Sequence, residues 1–297
     1  MNTYVTLLKR EVWEHKAFWI LPLVVAGLFL ATEIFGLGTW LIYPGHAQFS
    51  VGNGDLQHGG QAIMGLTMGS AVVFNMFLGV LVFFYLVDCL YGERRDRSIL
   101  FWKSLPVSDL ETVLSKLGAA ALVAPLIFFV IMAVTEVVGL ILFFLVAAFR
   151  MPELVSHLFH PVVLIESWLL VIYGMLVQSL WFLPISGWLL LASAWAKKSP
   201  ILWAVMPPVA IMIIEPIAFG TSKFAHLLGY RLSVGVFRET FNLDGHQFMV
   251  GSSYAESLVT ASNVWHVLSS PGMWGGVIVG VVFIGGAVWL RRYREEI

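Results

Sequence analysis

Apolar residues in this chain come in long unbroken runs, and the polar ones gather in short islands between them. Crossing a hydrocarbon layer as a helix takes about 20 consecutive, mostly apolar residues. Six runs meet that length: 18–36, 64–90, 117–149, 162–195, 201–219 and 274–290. The third and fourth exceed one crossing, so tilt or an interfacial extension is expected of them. Pro22, Pro125, Pro184, Pro207 and Pro208 fall inside runs and predict kinks whose freed carbonyls are met by neighbouring helices. The expected fold class is all-α and integral to a membrane: a single transmembrane domain over 1–297 with six transmembrane helices.

The polar islands differ in kind. Residues 1–16 place Val5, Leu8 and Val12 on one helical stripe, with Lys9, Arg10, Glu14 and Lys16 elsewhere, which predicts an amino-terminal interfacial helix. Residues 38–61 form a loop containing glycine and histidine. Residues 220–272 carry Phe224, Leu227, Leu228, Tyr230, Val236, Phe237, Phe241 and Phe248, too much apolar content for a disordered loop. Short outer-face or re-entrant helices are expected there. Residues 91–116 begin with a dense run of charge, Glu93, Arg94, Arg95, Asp96 and Arg97. Such a segment cannot sit in hydrocarbon, so it predicts a structured loop on one side of the membrane.

Composition agrees with this class. The chain has 297 residues, is 59% hydrophobic and 12% charged, and has a mean hydropathy of +0.86. A soluble domain carries about 25% charged residues. A net charge of -1 argues against a nucleic-acid partner, which needs a basic face. The single cysteine, Cys89, allows no intrachain disulfide and no cysteine-based metal cage. Charges follow the first apolar residues instead of preceding them, so no cleavable signal peptide is expected and the first run is retained as a span. Lysines and arginines fall before the first run, between the second and third, between the fourth and fifth, and after the sixth. This asymmetry predicts a multi-pass protein of the cell inner (plasma) membrane with both termini cytoplasmic.

The 91–116 loop has internal order. Ser108 and Glu111 make an S-x-x-E capping box behind Pro106, predicting a helix that starts there and runs on into the third span. Upstream, residues 97–105 form a second short helix candidate carrying Ile99, Leu100, Phe101, Trp102 and Leu105. It is too short to cross a bilayer. Two roles fit it equally from the residues alone: filling a groove on a partner protein, or anchoring among headgroups with Trp102 as a belt residue.

The sequence from Glu93 to Lys116 resembles the loop after the second span in permeases of the ABC transporter type-2 exporter family. There an acidic residue and a Ser or Thr precede an apolar stretch, followed by Leu and Pro, a Ser, an acidic residue and a Lys. Glu93, Ser98, Leu105 (directly before Pro106), Ser108, Glu111 and Lys116 hold those places here. The chain departs from the pattern at Arg97, where members often carry glycine. The resemblance is residue-specific over this loop only, while the arrangement of spans matches along the whole chain. It implies that the loop helix is a coupling helix, with Glu93, Arg97, Ser98, Ile99, Phe101, Trp102, Leu105, Pro106, Ser108 and Glu111 as the ATPase-coupling set. It implies a cytoplasmic ATP-binding cassette subunit as partner, a second permease chain in a homo- or heterodimer, and outward transport. ATP and Mg would then be bound by the partner. No G-x-x-x-x-G-K-[ST] phosphate loop occurs in this chain, so it is expected to hold no cofactor and to be no enzyme by itself.

Glu136 and Glu215 fall inside the third and fifth runs. An ionised carboxylate at the bilayer centre costs about 2.5–3.5 kcal/mol, so each is functional or paired. With Gln178 and Asn75 they form a candidate translocation path; alternatively each is protonated, or hydrogen-bonded to those amides or to a carbonyl freed by Pro207, Pro208 or Pro216, in a structural role. A proton-coupled secondary transporter using Glu136 and Glu215 is the competing function, though no inverted repeat is visible. A membrane enzyme is disfavoured by the lack of H-E-x-x-H and G-x-S-x-G. Gly65-x-x-x-Gly69 and Gly276-x-x-x-Gly280 offer flat surfaces for close helix packing. Seven histidines, His157-x-x-His160 among them, fall on the predicted outer side, and with no cysteine beside them no metal centre is expected. The aromatic, methionine-containing spans lean towards a hydrophobic or amphipathic cargo.

Overall fold

Backbone groups in hydrocarbon find no water, so a chain this apolar closes its hydrogen bonds within helices. The computed structural model describes residues 3–42, 59–99, 107–150, 161–232 and 268–293, and the regular structure among them is helical throughout. In chain order the helices are α1 (Thr3–Glu14), α2 (Ala17–Ile42), α3 (Gly59–Arg95), α4 (Asp109–Gly118), α5 (Ala124–Arg150), α6 (Pro161–Trp181), α7 (Leu183–Trp195), α8 (Pro200–Phe219), α9 (Lys223–Leu232) and α10 (Pro271–Tyr293). Six stretches are long and apolar enough to cross a membrane: α2, α3, the continuous α4–α5 unit, α6, α8 and α10.

The two over-long runs resolve differently. Between α4 and α5 the chain makes a π-helical turn, Ala119–Val123, just before Pro125, which has no N–H to offer the carbonyl of Ala121. The helix continues through it. In the fourth run it does not. Phe182 adopts φ -81 and ψ 0, and Pro184 stands in the first turn of α7, so the run divides into α6 of 21 residues and α7 of 13. The expected tilt or extension is therefore a break, and only α6 is of spanning length.

Without a hydrophobic force between lipid-embedded helices, close approach of small residues drives packing. Ala71, Ala119, Ala120, Ala124, Ala192, Ala194, Ala204 and Ala287 are all buried in the main core, around Phe18, Phe74, Phe128 and Met132. The tightest seam joins α7 to α10. A Cβ on Gly187 would lie 2.7 Å from the Gly280 carbonyl oxygen, and one on Gly280 would lie 2.8 Å from the Leu183 carbonyl carbon. Gly276, one turn earlier, makes room for the Arg231 guanidinium. The equally spaced Gly65 and Gly69 on α3 face open space. Gly187→Ala and Gly280→Ala are each expected to cost about 1–3 kcal/mol, because backbone must move to admit the methyl. Gly65→Ala and Gly69→Ala should lose nothing, and thermal unfolding of the four purified variants checks the contrast.

The proline kinks are satisfied as expected in one traceable case. Pro208 leaves the Ala204 carbonyl free, and the Trp188 indole donates to it from α7 at 2.9 Å. The interfacial stripe is corrected. Val5 is 59% exposed, while Leu7, Glu11 and Val12 are buried and Tyr4 donates to the Leu114 carbonyl at 3.0 Å. A buried acid in the middle of the stripe hides it from any apolar-periodicity test. Of the expected outer segment, α9 is the described helix; residues 233–267, with Val236, Phe237, Phe241 and Phe248, lie outside the described residues.

Candidate functional site

At one end of the bundle α1, the last turn of α3, α4 and the last turns of α7 and α10 converge on buried charge. Glu11 of α1 is fully buried and accepts from Lys116 Nζ at 3.1 and 3.2 Å, from Arg10 at 2.8 Å and from the Tyr85 hydroxyl at 2.8 Å. Glu93 of α3 meets the same Lys116 at 2.9 Å, Arg10 at 3.3 Å and Arg291 of α10 at 2.5 Å. Arg291 also donates from Nε to Asp109 at 3.0 Å. Three carboxylates thus face three cations, with the exposed Glu14 also paired to Arg10, and each buried charge is compensated, as burial demands. Arg94 donates to the carbonyls of Ser193 and Ala196 at 2.7 and 2.9 Å, placing a cation at the negative end of the α7 dipole.

This cluster brackets the loop singled out by sequence. Arg291 holds Glu93 on the upstream flank and Asp109 on the downstream flank with one guanidinium. Past the end of α3, Arg97 takes φ 56, the left-handed conformation that glycine adopts without strain. That is the position where this chain departs from the resembled pattern. Ser98 donates to the Glu93 carbonyl at 3.3 Å, and Ile99 is buried. Ser108 and Glu111 make the expected capping box in both directions: the Glu111 amide donates to Ser108 Oγ at 3.1 Å, and the Ser108 amide to Glu111 Oε2 at 2.9 Å. Phe101, Trp102, Leu105 and Pro106 lie outside the described residues.

Midway along the bundle sits a second polar group. Glu136 of α5 is 8% exposed and accepts from the Trp168 indole of α6 at 2.6 Å, Thr67 of α3 at 3.4 Å, and Ser70 of α3. None of the expected partners reaches it. Glu33 of α2 packs its carboxylate onto Gly139, one helical turn after Glu136 on the same face of α5. Its Oε2 is buried without a hydrogen-bond partner. Two acids from different spans therefore share one face inside the bundle.

Glu215 and Gln178 are elsewhere. Glu215 ends α8 and caps α9, accepting from the amides of Lys223 and Phe224 and the Thr221 hydroxyl, each at 2.8 Å. Gln178 is buried on α6 with Oε1 unpaired, and Asn75 is half-buried on α3. Beside α9, Arg231 donates to the Trp181 carbonyl at 2.8 Å and to that of Gly272, and stacks 4.6 Å from the Trp181 ring. Burial draws its guanidinium below the ordinary pKa range.

No group of three or more metal-ligating side chains occurs among the described residues. His46, His58, His157, His160, His246 and His266 lie outside them. The residues missed from sequence are Glu11, Arg291 and Glu33. Glu33 carried a usable signal, an acid inside the span-length run 18–36. Glu11 and Arg291 carried none, standing 105 residues from Lys116 and 198 from Glu93. No family model, curated protein or solved structure matches this chain.

Proposed function

We propose that this chain is the permease subunit of an ATP-driven exporter, moved by a separate ATP-binding cassette subunit that grips the loop between α3 and α4. The observation that carries the proposal is the clamp on that loop. Its two flanks, Glu93 and Asp109, are bonded to a single arginine of α10, and Glu93 shares Lys116 with Glu11 of α1. A pull on the loop is thereby delivered to α1, α3, α4–α5 and α10 together, which suits rigid-body rocking between inward- and outward-open states. The termini lie on the motor's side, in the plasma membrane, and a second permease chain completes the path. α8 buries only Ala204 and α2 exposes Ile34, Phe35 and Ile42, leaving apolar faces for lipid or that second chain. Glu136 with Glu33 forms the polar part of the path. A proton-coupled carrier built on Glu136 and Glu215 gains nothing from the geometry, since the two bond to separate partners.

The test is assembly. Co-expressed with its proposed ATP-binding cassette partner, the parent chain should co-purify as a complex. Phe101→Asp with Trp102→Asp should abolish co-purification while leaving the permease monodisperse in detergent. Retention of the full complex by that double variant would refute the docking role.

A further inference from the structure

A groove of about 340 Å³ opens between α7, α8 and α10, walled by Trp188, Trp195, Trp203, Trp289, Pro207 and Leu290. Its size lies at the low end of small-molecule sites, about 300–1,000 Å³. The wall offers almost nothing polar. The Trp188 N–H is already given to the Ala204 carbonyl, and Pro207 has no N–H. A polar solute would find no partner there, so the wall suits an aliphatic chain.

The rim is the opposite in character. Lys197 and Lys198 make the α7–α8 turn two and three residues beyond Trp195, and Arg292 follows Trp289 by one turn of α10. All three are exposed, and none makes an ion pair with a described residue; Arg292 rests over the Tyr293 ring at 5.6 Å. Nearby Arg94 and Arg291, by contrast, are consumed by the buried cluster and the end of α7. Ser199 takes a left-handed conformation, φ 49, in the turn that ends α7 and starts α8 within four residues, so both lysines follow closely on the groove residue Trp195. Three exposed cations above an apolar slot lined with belt-type tryptophans match a molecule with an anionic head and a hydrocarbon tail.

We propose that this groove binds one anionic glycerophospholipid, an acyl chain lying among the four tryptophans and the phosphate held by Lys197, Lys198 and Arg292. The site is independent of the exporter proposal, since it needs neither an ATPase nor a cargo. Bound there, the lipid fills the gap between α8 and the α7–α10 seam, beside the Trp188 bond to the Ala204 carbonyl of α8.

The tryptophans report on the site directly. The full chain is placed in nanodiscs of phosphatidylcholine, and phosphatidylglycerol with dibrominated acyl chains is added in steps. Indole fluorescence should fall to a plateau at a low mole fraction, and brominated phosphatidylcholine should need about tenfold more to match it. Lys197→Gln, Lys198→Gln and Arg292→Gln combined should remove that preference. Trp188→Phe with Trp203→Phe should shrink the quenched fraction, since both indoles line the slot. Native mass spectrometry should show one retained phosphatidylglycerol on the parent and none on the triple variant. Equal, non-saturating quenching by both lipids would overturn the proposal. So would efficient disulfide cross-linking between two copies through Trp203→Cys, which would mean that a second chain covers the groove.

Discussion

Lys116→Met is expected to cost about 3–5 kcal/mol, the largest stability loss of any single substitution in the buried charge cluster. Among the described residues, Lys116 is 1% exposed and is the only cation that touches both Glu11 and Glu93 apart from Arg10, which is itself partly exposed and bonded outward to Glu14. Methionine fills nearly the same volume, so packing is kept and the loss isolates the charge. Glu11 then keeps one guanidinium and one phenol for a fully buried carboxylate. Pairing Lys116→Met with Glu11→Gln should recover part of the loss, because the second change removes the charge left stranded by the first. Thermal unfolding of the single and double variants in detergent measures both effects. A Lys116→Met chain within about 1 kcal/mol of the parent would show the cluster to be hydrated and cheap to dismantle.

The cluster need not add net stability to be worth keeping. Replacing a whole buried ion network with apolar side chains is often neutral or favourable. What ionic pairing adds here is orientation: Glu93 and Asp109 can meet Arg291 together only when both flanks of the loop stand at one height on α10. That geometry suits the proposed docking loop.

How far the sequence foretold this follows from the range of each interaction. The spans were legible because hydrocarbon imposes one requirement, apolar length, on contiguous residues. The capping box was legible because Ser108 and Glu111 are three apart. The break at Phe182 was only half legible: Pro184 announced a kink, but whether a proline bends a helix or ends it is decided by what lies against it, here the glycine seam of α10. The two G-x-x-x-G patterns are alike in sequence and opposite in use, one buried against α7 and Arg231, the other facing open space. A flat helix surface is encoded locally and its cover is not. The charge cluster was illegible for the same reason, since Glu11 and Lys116, and Glu93 and Arg291, are distant in sequence and its members meet only once four helices are in place.

Glu136 separates structural need from charge. Glu136→Ala removes the acceptor of the Trp168 indole and of Thr67, whereas Ser70 keeps a bond to the Thr67 carbonyl at 3.0 Å. One orphaned indole N–H and a cavity should together cost about 2–4 kcal/mol. Glu136→Gln should cost less than about 1 kcal/mol, since its Oε1 can take the Trp168 proton and its amide can donate to hydroxyls that rotate to accept. If Glu136 were merely satisfied, the glutamine chain would work like the parent. The expected result is instead a loss of about tenfold or more in turnover of the proposed ATP-driven complex, because the glutamine keeps the hydrogen bonds and discards the acid group beside Glu33. Gly139→Ala should reproduce the defect from the other side. Its new methyl overlaps the end of the Glu33 side chain, a flexible group that can swing away with little effect on stability. Two variants that leave unfolding unchanged and both slow turnover would place the Glu33–Glu136 face on the route of transport. Full activity in Glu136→Gln would reduce it to a packing solution for an awkward acid.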